Sequence, residues 1–367
     1  MRKKIACIVA FLANNLGDDL FFQQLCSRYP EADFYAAAPE LKNRSLEALK
    51  NLHYSDDMKK MRAEYLGSSQ LSEETVRFFS QFDACVIIAG SIFMQWDTVY
   101  KRHDVFLENS IKLSKKLFVI GANFGPFYEN QFLEEFRQQF RMVEDICFRD
   151  TLSVSYFPGQ KNVRYAPDII LGCTYEKRPV KKQVAVSVID CACHDRPGAQ
   201  LKELSAAKEA YEKKMVSLIS AFYREGYESC LVSFCAPQGD GQTAERIMQA
   251  CLMNGVTNVS HCEYTGDIQP VMNTLSESAF FVATRFHAMI LGWLFDRPTF
   301  PVIYDQKQTN VIRDFNFTNG YCDLTEFINL DADMVVNSLK NYKPFEIEQY
   351  KRDAQKQFTA LDRFIKG

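Results

Sequence analysis

The sequence predicts an α/β protein built from two doubly wound domains that face each other across a cleft. Three observations carry this expectation. Short apolar runs alternate with longer helical patterns, the alternation stops once near the middle and then resumes, and 367 residues are long for one core and comfortable for two domains. An apolar fraction of 47% beside 24% charged residues is that of an ordinary globular chain. A formal net charge of -3 supplies no general positive field, which argues against a nucleic-acid binder.

The first run, 5–13, follows Arg2, Lys3 and Lys4 and so mimics a signal peptide. It is short, rich in Ile and Val, and ends in Asn14-Asn15-Leu16-Gly17-Asp18-Asp19 without a cleavage site, so it reads as a buried first strand and a cytoplasmic protein is expected. Further strands are expected over 33–37, 84–89, 117–121 and 146–148, the first strand covering 5–11. Helices are expected between them over 18–28, 73–81, 105–115 and 131–142. Alternation of this kind implies βαβ units and a mostly parallel sheet with helices on both faces. The polar, basic stretch 174–182, with Pro179 inside it, reads as a linker. Beyond it strands are expected over 184–189, 230–234, 280–283 and 300–304, with helices over 200–223, 243–253 and 286–295. The first domain thus covers 1–175 and the second 176–340. A closing helix over 341–367 carries Ile347, Tyr350, Ala354, Phe358, Leu361 and Ile365 on one stripe. No stretch approaches ~18 uninterrupted apolar residues, so no membrane span is expected.

Twelve cysteines are scattered rather than clustered, and those in apolar runs, such as Cys7, Cys85 and Cys230, read as small buried hydrophobes. Cys191-Ala192-Cys193-His194 comes nearest to a metal cluster but lacks a second ligand set at zinc-finger spacing, and no metal is expected.

In open parallel sheets, ligands bind beyond the carboxyl ends of the strands. The clearest polar group at such an end is Arg285 with His287, where a strand enters a helix that is apolar all round from Ala288 to Phe295. Backbone N–H groups and the helix dipole favour an anion there. The structural alternative is an Arg paired with a carboxylate of the facing domain beside a satisfied core His. In the loop after the first strand, Asn15 and Gly17 permit a tight turn, and Asp18 is either a helix cap or a base in the cleft. Gly90-Ser91, Asn123 within Gly121–Pro126, Arg149 and Asp168 add polar groups at other strand ends. Lys307 either adds charge near Arg285 or is an ordinary solvated lysine.

Taken in order, these segments resemble the polysaccharide pyruvyl transferases. The resemblance rests on N-x-G-D (Asn15, Gly17, Asp18), Gly90, G-x-x-x-G-P (Gly121, Gly125, Pro126) and R-D-x-x-S (Arg149, Asp150, Ser153). It continues through P-D (Pro167, Asp168), R-x-H-x-x-I (Arg285, His287, Ile290), and Pro298 with Tyr304 and Lys307. It implies a GT-B-like pair of Rossmann-like domains and transfer of a pyruvyl group from phosphoenolpyruvate to a saccharide, free or lipid-linked at the membrane surface. No cofactor beyond that donor substrate is implied. Arg285 and His287 would hold the donor, with Lys307 beside them, and His287 and Asp18 would move protons. Asn15, Gly17, Gly90, Ser91, Asn123, Arg149 and Asp168 would line the cleft on the acceptor side. Two departures stand out: Gly90-Ser91 replaces Gly-Gly, and Ile189-Asp190 stands where relatives carry a donor-binding Arg, for which Arg196 is the nearest substitute. A nucleotide-sugar glycosyltransferase and a catalytically silent scaffold would share the same architecture.

Overall fold

The computed structural model describes residues 2–9, 12–95, 105–193 and 198–367. The chain forms two compact units. One comprises Met1–Ala13, Asp18–Gly172 and Arg352–Gly367, and the other Asn14–Gly17 with Cys173–Lys351.

In the first unit the strands are β1 (Lys4–Val9), β2 (Asp33–Ala37), β3 (Leu52–Ser55), β4 (Ala84–Ile88), β5 (Ser91–Phe93), β6 (Leu117–Phe124), β7 (Asp145–Phe148) and β8 (Val163–Tyr165). They pair in parallel in the order β3-β2-β1-β4-β6-β7-β8, with β5 attached to β6. Every residue of β4, β6 and β7 is buried, which is why these strands read as largely apolar runs. Under them lies an aromatic core in which Phe124 meets Phe157 edge-on at 4.9 Å and Phe132 packs on Phe136 at 4.8 Å. Aromatic pairs favour such tilted and edge-on contacts.

The second unit contains β9 (Lys181–Ser187), β10 (Glu228–Ser233), β11 (Val259–Glu263), β12 (Ser278–Ala283), β13 (Thr299–Ile303) and β14 (Cys322–Asp323). Their parallel order is β11-β10-β9-β12-β13-β14. The direction of winding reverses between β1 and β4 in one sheet and between β9 and β12 in the other, and such switch points open a crevice at the strands' carboxyl ends.

The structure corrects several boundaries. Lys181 and Lys182 begin β9 instead of ending a linker. Residues 10 and 11 of the expected first strand lie outside the described residues. The single helix expected at the end of the chain is two helices, Glu348–Ala354 and Thr359–Lys366, joined by a 3-10 turn at Gln355–Phe358. That tighter turn rotates Gln357 inward. Its amide donates to the carbonyls of Ala166 (2.7 Å) and Pro167 (3.1 Å) and accepts from Gly121 N–H (3.0 Å).

The cysteines are free thiols. Burial pushes those of Cys85 and Cys147 up to about 12, as inert core residues require. No helix among the described residues is long and apolar enough to cross a membrane.

Candidate functional site

Arg285 lies two residues beyond the end of β12, at the N-cap position of the buried helix Phe286–Leu294, which places it at the switch point of the second sheet. Its backbone N–H donates to Ser187 Oγ at the end of β9 (3.1 Å). Its guanidinium is nearly buried and gripped along one edge by Asp240: Nε donates to Oδ2 at 2.9 Å and Nη2 donates to Oδ1. Nη1 donates to Gln238 Oε1. Asp240 is fully buried, and its Oδ2 also accepts the N–H groups of Phe234 and Cys235, both at 3.1 Å. Burial alone would lower the Arg285 pKa, but the Asp240 carboxylate outweighs it and holds the guanidinium charged. The carboxylate partner therefore comes from the same unit, 45 residues upstream, and not from a facing domain.

The loop Asn14–Gly17 belongs to this cluster. Asn14 adopts left-handed backbone (φ 51°), which Asn tolerates better than most residues. Asn15 bridges Cys235, and Leu16 N–H donates to Phe234 O at 2.9 Å. Gly17 N–H donates to Asn15 Oδ1 at 3.2 Å, so Asn15 is the cap of helix Leu16–Arg28 and Asp18 is not. Asp18 lies inside the first turn, half-buried, where a carboxylate suits the helix dipole. Gly17 has no left-handed backbone to explain it. A Cβ at that position would lie 1.6 Å from His287 Nδ1, so the glycine is required by the close approach of the imidazole.

Lys307 is drawn to Asp305, 3.2 Å from its Nζ, while Asp305 caps the helix Gln306–Asp314. Its charge is thus matched locally by a carboxylate two residues away. At Ile189-Asp190, Ile189 is fully buried, and Asp190 accepts Ala192 N–H (2.9 Å) and Lys208 Nζ (3.0 Å). Burial would raise the Asp190 carboxyl, but these donors hold it below the usual carboxylate range. His194 and Arg196 lie outside the described residues.

In the first unit, five of the residues at strand ends meet in one largely buried network. Arg149 Nη1 donates to Asp168 Oδ2 (3.0 Å) and Nη2 to Asn123 Oδ1 (2.8 Å), which also accepts Ser91 Oγ–H (3.0 Å). A Cβ on Gly90 would lie 2.9 Å from Arg149 Nη2, so that glycine makes room for the guanidinium. Burial pushes the Asp168 carboxyl up, against the pull of Arg149 and of Ile170 N–H. Asp150 and Ser153 have local work: Asp150 caps helix Thr151–Ser155 through Ser153 N–H, and Ser153 Oγ accepts Phe124 N–H (2.8 Å). Asp240 and Gln238 were not visible as site residues in the sequence, because they meet Arg285 across 45 and 47 residues of chain.

The model of one protein family, polysaccharide pyruvyl transferase, matches residues 15–306. A curated relative, the amylovoran biosynthesis protein AmsJ of Erwinia amylovora, is 21% identical over 308 residues, covering 78% of this chain and 72% of its own. Among solved structures, a putative UDP-N-acetylglucosamine 2-epimerase from Listeria monocytogenes superposes with a TM-score of 0.55 at 10% identity, covering 99% of this chain and 95% of that one. A glycosyltransferase from Rickettsia africae gives 0.50 at 7% identity, covering 98% and 99%. At such identities these likenesses establish the α/β, GT-B-like fold class alone. With the family match spanning both sheets and every strand-end segment from Asn15 to Tyr304, the chain belongs to the polysaccharide pyruvyl transferase family.

Proposed function

We propose that this protein transfers the pyruvyl group of phosphoenolpyruvate to two hydroxyls of a saccharide, closing a cyclic ketal during polysaccharide biosynthesis in the cytoplasm. The observation that carries the reading is Arg285 at the second sheet's switch point, fixed by Asp240, with His287 two residues on and packed against Gly17. Phosphoenolpyruvate presents a carboxylate and a phosphate, and an oriented guanidinium fork suits such groups. In the first step a sugar oxygen bonds to C2 of the donor while its methylene carbon takes a proton. In the second, another hydroxyl bonds to C2, the C–O bond to phosphate breaks, and the phosphate leaves with the remaining proton. A protonated His287 is suited to the methylene or the leaving phosphate, and Asp18 to accepting hydroxyl protons. The saccharide, free or lipid-linked, falls to the first unit, where Ser91, Asn123 and Arg149 form a neutralised polar network.

The test is to incubate the protein with phosphoenolpyruvate and candidate saccharides, including lipid-linked oligosaccharides, and to measure phosphate release and the pyruvyl mass gain. Arg285→Lys is the informative variant, because it leaves a cation for buried Asp240 but removes the fork. Donor use should fall roughly 10–150-fold, the cost of one set of charged hydrogen bonds. Unchanged phosphoenolpyruvate kinetics in the folded Lys variant would remove Arg285 from the donor site.

A further inference from the structure

We propose that Asp240 is a positioning residue that sets both halves of the R-x-H pair, Arg285 directly and His287 through the loop Asn14–Gly17. The proposal rests on the donor-site reading above and adds to it the device that orients the site.

Three contacts converge on this one carboxylate. It binds the Nε/Nη2 edge of Arg285, and its Oδ2 gathers the N–H groups of Phe234 and Cys235. Those two residues fix the turn after β10, and the turn in turn holds the loop: Phe234 O accepts Leu16 N–H, and Cys235 bridges Asn15. The next residue of the loop, Gly17, is the surface on which the His287 ring rests. Asp240 sits in this position because Gly239 takes left-handed backbone (φ 78°) between a 3-10 turn and the helix Asp240–Met253, a conformation that favours glycine.

The geometry also determines what is left for a ligand. A guanidinium has five N–H bonds. Asp240 takes one on Nε and one on Nη2, and Gln238 takes one on Nη1. Among the described residues one N–H on each terminal nitrogen is left for a ligand, and a carboxylate or phosphate offers two oxygens to such a pair. Because Asp240 already balances the charge, selection at this point comes from the direction of two hydrogen bonds. A misdirected fork would therefore be felt as lost donor affinity and alignment, not as a general loss of attraction.

Asp240→Asn keeps the size of the side chain but turns an N–H₂ toward groups that are themselves donors. With Arg285 and His287 both displaced, the KM for phosphoenolpyruvate should rise and kcat should fall, together about 100-fold in kcat/KM, the effect of a misplacement near 1 Å. The saccharide KM should not move. In an Arg285→Lys background the same Asp240→Asn change should add little to the donor KM, since the fork it orients is already gone. Gln238→Ala, at a half-buried position that leaves the Asp240 contacts in place, should raise the donor KM less and in the same direction, and it serves where the Asn variant does not fold. A folded Asp240→Asn or Gln238→Ala protein with an unchanged donor KM overturns the proposal, as do losses that multiply in the double variant. If Arg285→Lys itself leaves the donor KM unchanged, the donor-site reading fails as well. If Arg285→Lys has its effect and the Asp240 and Gln238 variants have none, only the positioning role fails.

Discussion

The imidazole of His287 lies against the Cα of Gly17, and this contact is among the most exacting in the molecule. Gly17→Ala would normally help a helix by up to about 1 kcal/mol, yet here the new methyl and Nδ1 cannot occupy the same space. The expected outcome is a folded protein with displaced His287 and about 100-fold lower activity. Circular dichroism beside kcat/KM checks both halves, and near-normal turnover would remove the contact from the mechanism. The sequence pointed to Gly17 as a turn glycine, whereas in the structure the glycine makes room for the His287 ring. It also pointed to Arg285 and His287 from their place at a buried helix N-terminus. What it could not show is that each cation here arrives with its own carboxylate: Asp240 for Arg285, Asp305 for Lys307, Asp190 for Lys208. Two of these pairs join separate elements, and side-chain pairing across a fold leaves no local signature.

At the scale of elements, the central strands were legible because a parallel strand covered on both faces is apolar over most of its length. Edge strands escape that requirement. Leu52-His53-Tyr54-Ser55 and Val259-Ser260-His261-Cys262-Glu263 are polar and partly exposed, and nothing in them distinguishes a strand from a loop. The tail reads as one helix in the sequence because its apolar stripe continues through a 3-10 turn that shifts the phase. That turn makes Gln357 a stabilising residue. Gln357→Leu would leave the Ala166 and Pro167 carbonyls and the Gly121 N–H buried without this partner, at about 2–5 kcal/mol in total, measurable by urea denaturation. The neighbouring helix Thr359–Lys366 is tied to the body by Asp362, which accepts two hydrogen bonds from Arg28 at 3.0 and 2.7 Å. Burial would raise the Asp362 carboxyl, but Arg28 and Lys366 outweigh it and bring it below its usual value. A depressed carboxylate contributes stability above its unfolded pKa, near 3.9, and loses it as pH falls through the folded value. Asp362→Asn should therefore lower the melting temperature at pH 7, with the difference from the parent shrinking below about pH 4. A difference that is independent of pH would show that the pair contributes nothing through charge.

On the scale of the whole molecule, the two units are not consecutive lengths of chain. The first is interrupted by nearly all of the second and completed only by Arg352–Gly367. Within that unit the tail fills one place: Gln357 meets Gly121 and Ala166, Gln355 reaches Gly172 O at 2.8 Å, and Arg164 donates to Gln357 O at 2.9 Å. The tail therefore behaves as a ligand that happens to be attached. Tethering gives such a segment an effective concentration in the millimolar range or above, so its own affinity need not be high for the socket to stay filled. A protein ended after Lys351 would present that socket empty, and a synthetic 352–367 peptide should raise its melting temperature in a saturable, concentration-dependent way. A peptide with Gln357 replaced by Leu should do so more weakly, turning an intramolecular fold contact into a binding curve that can be titrated.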